Sequence, residues 1–89
     1  YFDINLKSYL DKKFDNEYEL LNYSGNVTIS NKCTFIHSHI TFSDRQFRVY
    51  GGHLYDAKIS GAGEFFLTPG NQSIKRKFNN NIGLNLWDL

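Results

Sequence analysis

The chain has 89 residues, of which 40% are hydrophobic and 17% aromatic, so it is long enough for one modest core and too apolar for a disordered tail. Its formal net charge of +1 argues against strong electrostatic binding to nucleic acid or a membrane surface, and no apolar run approaches the length of a membrane span. The single cysteine, Cys33, excludes an internal disulfide framework and a cysteine-rich metal cluster. Because the chain has no methionine, we expect it to be a processed product or a piece of a longer protein.

The composition favours β-structure, because β-branched and aromatic residues are plentiful and alanine is scarce. We predict five or six short strands, mostly joined as hairpins, and no helix is indicated with any strength. Ser43–Gln46 is typical of a four-residue turn, and Pro69-Gly70-Asn71 of a second one. The predicted strands, in chain order, are Glu17–Leu20, Val27–Ile29, Cys33–Phe42, Phe47–Tyr50, Glu64–Thr68 and Gly83–Leu89.

The strongest chemical signal is the chain's complete set of histidines, His37, His39 and His53. Histidines at i and i+2 on a strand lie on one face, and neutral imidazole is a good ligand for zinc and related metals. The alternative interpretation is that these are ordinary half-buried strand residues with backbone hydrogen bonds. We give the two interpretations similar weight, since three-histidine sites with an open fourth position recur in zinc proteins.

Whether His53 reaches the other two histidines depends on strand register. If Phe42 faces Phe47 across the predicted turn, His53 falls on the wrong face of the sheet. One extra residue at Gly51-Gly52 would turn His53 back to the face of the other two histidines and place it opposite His37, so we predict a β-bulge there. In the competing geometry, His53 joins the other two across a subunit boundary.

A short basic run, Lys75-Arg76-Lys77, is a second candidate site, for contact with phosphate or DNA. A solvated strand or loop face is the more common explanation of such a run. No residue has a pattern that assigns it a catalytic role.

Several segments resemble the PPC (plants and prokaryotes conserved) domain family. Glu19–Ser30 resembles the stretch E-I-L-S-L-x-G-N-I-S of that family, and Phe35–Asp44 resembles F-x-H-x-H-x-x-L-x-D. Val49–Leu54 is similar to V-x-G-G-H-L, Gly83–Leu89 to G-L-x-L-x-D-L, and Tyr1-Phe2-Asp3 to G-Y-Y-D. These blocks occur in the order of the family and cover nearly the whole chain.

The resemblance implies an α/β (α+β) fold in which a bent, mixed sheet packs on a helix, assembled as a homotrimer in the cytoplasm. It implies that residues 1–89 form the C-terminal two-thirds of one domain, and that this part is mostly β because the first helix and leading strands precede Tyr1. The histidine positions match the prokaryotic branch, where they resemble a metal site. Plant members carry an AT-hook that binds the minor groove, but this chain contains no Arg-Gly-Arg-Pro sequence, so that activity does not transfer.

Three functions remain open. The first is a homotrimeric, regulatory PPC-domain protein that binds DNA and carries a three-histidine metal site, with zinc as the expected ion. The second is a metal-dependent small-molecule enzyme or binding protein with its site at the trimer interface. The third is an assembly module that presents loops to other proteins.

Overall fold

The computed structural model describes all 89 residues, Tyr1–Leu89, and organises them into seven strands without a helix. No helix is long and apolar enough to cross a membrane. β1 and β2 form a small hairpin, and the other five strands form one sheet in the order β5-β4-β3-β6-β7. The strands are β1 (Phe2–Asp3), β2 (Ser8–Tyr9), β3 (Glu19–Ser30), β4 (Cys33–Ser43), β5 (Val49–His53), β6 (Lys75–Asn79) and β7 (Leu84–Asp88).

The long β3–β4 hairpin forms the middle of the sheet. A two-residue turn, Asn31–Lys32, connects the strands, and both residues have positive φ angles of 49° and 64°. Positive φ at both central positions is the geometry of a type I′ turn, whose twist matches that of the flanking strands. The ladder then continues from the pair Ser30–Cys33 to the pair Glu19–Ser43, with one irregularity between Leu20 and Asn22. The sequence predicted two separate strands here, Glu17–Leu20 and Val27–Ile29, but β3 is continuous over Glu19–Ser30.

The β4–β5 hairpin closes through a five-residue loop, residues 44–48, that Asp44 organises. One carboxylate oxygen of Asp44 accepts hydrogen bonds from the backbone N–H groups of Gln46 and Arg48, at 2.9 and 3.0 Å. The other accepts one from Arg48 Nε at 2.6 Å. Burial alone would raise the pKa of Asp44, but the hydrogen bonds from Arg48 and Gln46 hold it below its ordinary value.

The other side of the sheet differs most from the sequence prediction. β6 pairs with β3 in parallel and with β7 antiparallel, so the sheet is mixed, as the family resemblance implied. The predicted strand at Glu64–Thr68 is wrong: the segment pairs with no strand, and Phe65 and Phe66 are 78% and 102% exposed. Alternation and aromatic content suggested that strand, but a strand also needs a neighbour with free backbone groups.

The sheet does not enclose a hydrophobic core. The three buried residues are all polar, namely Thr28, Ser38 and Ser43. The accessible surface is 8266 Å², whereas a compact monomer of 10.4 kDa exposes about 5,400 Å². Partial shielding comes from an aromatic cluster in which Phe14 and Tyr18 pack against Phe42 at centroid distances of 5.0 Å. Both faces of the sheet therefore keep extensive apolar surface, and the helix that the resemblance implies remains a prediction.

Candidate metal centre

All three histidines lie on one face at the β4–β5 edge of the sheet. His39 and His53 are direct cross-strand partners, and His37 lies two residues before His39 on β4. The predicted bulge at Gly51-Gly52 is wrong, because the β4–β5 register is unbroken. His53 lies on the face of the other two histidines without a bulge, because the pairing begins at Ser43 and not at Phe42. The partner of Ser43 is Val49. His53 consequently faces His39 instead of His37.

The imidazole nitrogens converge. Each histidine offers one ring nitrogen that lies within 4.8 Å of those of the other two. His37 Nε2 and His53 Nδ1 are 3.3 Å apart, and the ring centroids of His39 and His53 are 4.5 Å apart. Zinc–nitrogen bonds of about 2.0–2.1 Å in a tetrahedron put neighbouring ligand atoms about 3.3–3.4 Å apart. His37 Nε2 and His53 Nδ1 already have this spacing, and the three histidines offer nitrogens that all lie within 4.8 Å of one another.

The surroundings of His37 and His53 favour the neutral forms of these two imidazoles. Burial, followed by the charges of His39 and Arg76, lowers the pKa of His37 below its ordinary value of 6.5. Burial, followed by His39 and His37, also lowers the pKa of His53. A lowered pKa keeps the ring unprotonated at neutral pH, which is the form that binds a metal ion. His39 is exposed, so the centre is accessible from solvent.

The small β1–β2 hairpin supplies a neighbour that the sequence did not predict. The Tyr9 ring contacts the His53 ring edge-on, with centroids 5.1 Å apart. The hairpin is anchored at the β6–β7 turn, where Lys7 Nζ donates to the Asn80 carbonyl at 3.0 Å. A Cβ atom on Gly83 would lie 2.9 Å from Lys7 Cβ, so this close approach requires glycine. An aromatic residue about 44 positions from His53 gives no local sequence signal for such a contact.

The backbone beneath His37 is packed unusually tightly. Gly25 on β3 pairs with Ser38 on β4. A Cβ atom on Gly25 would overlap the His37 carbonyl oxygen and lie 2.8 Å from Ser38 Cα. Glycine at this position therefore allows β3 to approach the strand that carries two of the histidines.

The basic run Lys75-Arg76-Lys77 lies on β6, and its residues alternate between the two faces of the sheet. Lys75 and Lys77 are exposed on the face opposite the histidines. Arg76 lies on the histidine face, half-buried, where its Nε donates to Thr28 Oγ1 at 2.7 Å. The three residues therefore do not form one basic patch, and whether any of them contacts phosphate remains a prediction.

Arg76 is held by three strands at once. Its Nη2 donates to Asn26 Oδ1 at 3.0 Å on β3, and its Nη1 donates to the Asn85 carbonyl at 2.9 Å on β7. Its Cζ lies 4.7 Å from the centroid of the Phe35 ring on β4, a cation–π contact. Asn26 is the direct cross-strand partner of His37, so the guanidinium lies beside the histidine cluster.

A polar cavity of about 360 Å³ lies away from the histidines, at the end of the β4–β5 hairpin. Glu17, Tyr18, Asp44, Arg48 and Tyr50 are among its lining residues. Asp44 and Arg48, the paired charges of this lining, bind each other and so stabilise the loop.

Comparison with known proteins gives one family and two similar structures. The profile of the Plants and Prokaryotes Conserved (PCC) domain, the family abbreviated PPC above, matches residues 3–70. A crystal structure of a candidate DNA-binding protein from Bacteroides thetaiotaomicron VPI-5482 is similar at 35% identity and a TM-score of 0.93. This chain covers 62% of that protein, and the match includes 99% of this chain.

The second similar structure is a metal-containing protein from Archaeoglobus fulgidus, at 29% identity and a TM-score of 0.79. The match includes 100% of this chain and 63% of that protein. The chain therefore spans less than two-thirds of both proteins. No curated protein matches the sequence.

Proposed function

The chain belongs to the Plants and Prokaryotes Conserved (PCC) domain family, and we propose that it works as a divalent-metal-binding domain whose ligands are His37, His39 and His53. The convergence of three imidazole nitrogens within 4.8 Å carries this proposal. The similarity to a metal-containing protein from Archaeoglobus fulgidus supports it independently.

Zinc is the proposed ion. Three neutral histidines without a carboxylate or thiolate form the ligand set of open zinc sites, in which water or a small molecule takes the fourth position. An ion held in this way can polarise a bound carbonyl or lower the pKa of a bound water. This chemistry would serve either a binding domain or a small-molecule enzyme with its site at a trimer interface.

Metal analysis of the full chain tests the proposal. Protein purified without added metal, or stripped and reloaded with zinc, should hold about one ion per chain by elemental analysis. The variants His37→Ala and His53→Ala should each lose most of the bound zinc, because the two remaining histidines bind zinc weakly. Ser24→Ala is a matched control, since Ser24 pairs with His39 on the same face and is no ligand. Full metal content in both histidine variants would show that the site is misassigned.

We also propose that the domain assembles as a homotrimer, and that the chain forms the C-terminal two-thirds of the domain, with a preceding helix and strands covering part of the sheet. The absence of any buried hydrophobic residue supports a covering partner of some kind. Sedimentation equilibrium should give three times the protomer mass of 10.4 kDa. A longer polypeptide with the preceding residues should unfold at a higher temperature than the 89-residue chain.

A regulatory role in DNA binding is the second candidate function. The similar protein from Bacteroides thetaiotaomicron is described as a candidate DNA-binding protein, and Lys75 and Lys77 present two exposed cations on one face of β6. Fluorescence anisotropy with duplex DNA at rising salt tests it. Phosphate contacts make affinity fall steeply with salt. In the double variant with Lys75→Gln and Lys77→Gln, the slope of log affinity against log salt concentration should be smaller by about two. No binding at low salt would reject the DNA role and leave the metal proposal intact.

A further inference from the structure

Positive charge without a carboxylate partner is concentrated beside the three histidines. The two ion pairs of the structure join Lys13 to Asp15 and Arg48 to Asp44, so no acidic residue pairs with Arg76 or with a histidine. A divalent ion on three neutral imidazoles would leave a net charge of +2 there, next to the guanidinium. In a partly buried environment, an anionic ligand nearby would stabilise such charges.

Arg76 is also preorganised to receive an anion. Its three observed hydrogen bonds use one N–H each from Nε, Nη1 and Nη2. A guanidinium has five N–H donors, so two remain, one on each terminal nitrogen. Arg76 is half-buried, and no further hydrogen bond of its terminal nitrogens is made within the protein. A pair of donors on the two terminal nitrogens matches the two oxygens of a carboxylate.

The register fixes how near this fork is to the metal ligands. Asn26, which accepts from Arg76 Nη2, lies directly across from His37, and cross-strand side chains of this kind start about 4.5–5.5 Å apart at Cβ. Phe35, which lies under the guanidinium, is two residues from His37 on the same face of β4. Asn26 therefore connects the guanidinium to the position directly across from His37, on the same face of the sheet.

We propose that the centre binds a small dicarboxylate or similar dianion, with one carboxylate at the open position of the metal and the second on Arg76. This inference rests on the proposed metal site. It assigns Arg76 a second role, in selecting the ligand, in addition to connecting β3, β6 and β7. It also narrows the ligand class from any small molecule to molecules with two anionic groups.

Calorimetric titration of the zinc-loaded 89-residue chain at constant ionic strength tests the proposal, with acetate, malonate, succinate and glutarate as probes. At least one dicarboxylate should bind ten times or more tightly than acetate, and the metal-free protein should lose this preference. Arg76→Gln should keep its zinc and bind the best dicarboxylate no more tightly than acetate. Arg76→Lys should fall between the two, because lysine keeps the charge and loses the two-pronged geometry.

Lys77→Gln is the matched control, since it removes one positive charge from the same strand on the opposite face. It should leave the dicarboxylate preference unchanged, and an equal loss in Lys77→Gln and Arg76→Gln would refute a specific role for Arg76. If Arg76→Gln does not fold, Arg76→Lys decides, and full dicarboxylate preference in that variant overturns the proposed fork. Equal affinities for acetate and all dicarboxylates in zinc-loaded wild type overturn this inference alone. Failure to bind zinc overturns the metal site as well.

Discussion

The close approach of β3 and β4 at Gly25 gives a prediction that links strand spacing to the metal centre. In Gly25→Ala, the new methyl group would overlap the His37 carbonyl oxygen and lie 2.8 Å from Ser38 Cα. Because non-bonded carbon atoms prefer about 3.5–4.0 Å, the two strands must separate by roughly 1 Å at this point. Overpacking costs about 1–3 kcal/mol and a lost ladder hydrogen bond about 1 kcal/mol, so unfolding should become easier by about 2–4 kcal/mol.

Urea denaturation of the full chain measures this loss. Gly61→Ala is the control, because the same methyl group there meets no atom within 4 Å and should change stability by less than about 0.5 kcal/mol. Displacement of the His37 backbone should also weaken zinc binding, by about 10- to 100-fold if the effect equals that of lost supporting contacts around metal ligands. Equal stability of the two variants would refute the predicted steric clash. Lost stability with unchanged zinc affinity would refute the coupling to the metal centre.

Four further predictions concern pH and backbone strain. In the metal-free protein, His37 and His53 should take up protons, and so lose the ability to bind zinc, only below pH 6.5, because their pKa values are lowered; an NMR titration midpoint above 6.5 for either ring would contradict this. For the same reason, the metal-free protein should lose stability as pH falls below 6.5, when the unfolded histidines take up protons more readily than the folded ones. Gly83→Ala should cost about 1–3 kcal/mol in urea denaturation, since its φ is +87° and the new Cβ would lie 2.9 Å from Lys7 Cβ, and a neutral effect would show that the β1–β2 hairpin is not held there. Asp44 should contribute stability above its ordinary pKa of 3.8 that is lost as pH falls through its lowered folded value, and Asp44→Asn should remove this pH dependence from thermal unfolding curves.

The sequence correctly predicted which side chains of the central strand β4 lie on each face of the sheet. The two-residue period along Cys33–Phe42 placed His37 and His39 on one face and Ile36, Ile40 and Phe42 on the other, and the observed ladder confirms it. Period-two alternation is a property of each strand alone, so it can be read without knowledge of the partner. The same period grouped His37 with His39, whereas His53 was expected to join them through a bulge at Gly51-Gly52 and joins them instead through an unbroken register.

Properties that depend on pairing could not be obtained in this way. The β4–β5 register depends on where the loop starts, and the hydrogen bonds of Asp44 keep residues 44–48 out of the ladder. The Glu64–Thr68 segment has strand-forming residues but no neighbour, whereas β6 has a polar, charged sequence and pairs on both sides. Arg76 gave only a charge signal, and its contacts with Thr28 and Asn26, about 50 positions away, arise from the parallel β3–β6 pairing.

The direct pairing of His39 with His53 makes metal binding a check on how the hairpin is aligned. A shift of β5 by one residue would turn His53 to the other face of the sheet, and a shift by two that places it opposite Thr41 would take it out of reach of His37. Neither of these misaligned forms offers three imidazoles to one ion, so the binding free energy favours the native alignment over them. Zinc supplied during refolding would then favour the native alignment of β4 and β5, at an edge of the sheet where no hydrophobic core stabilises that alignment.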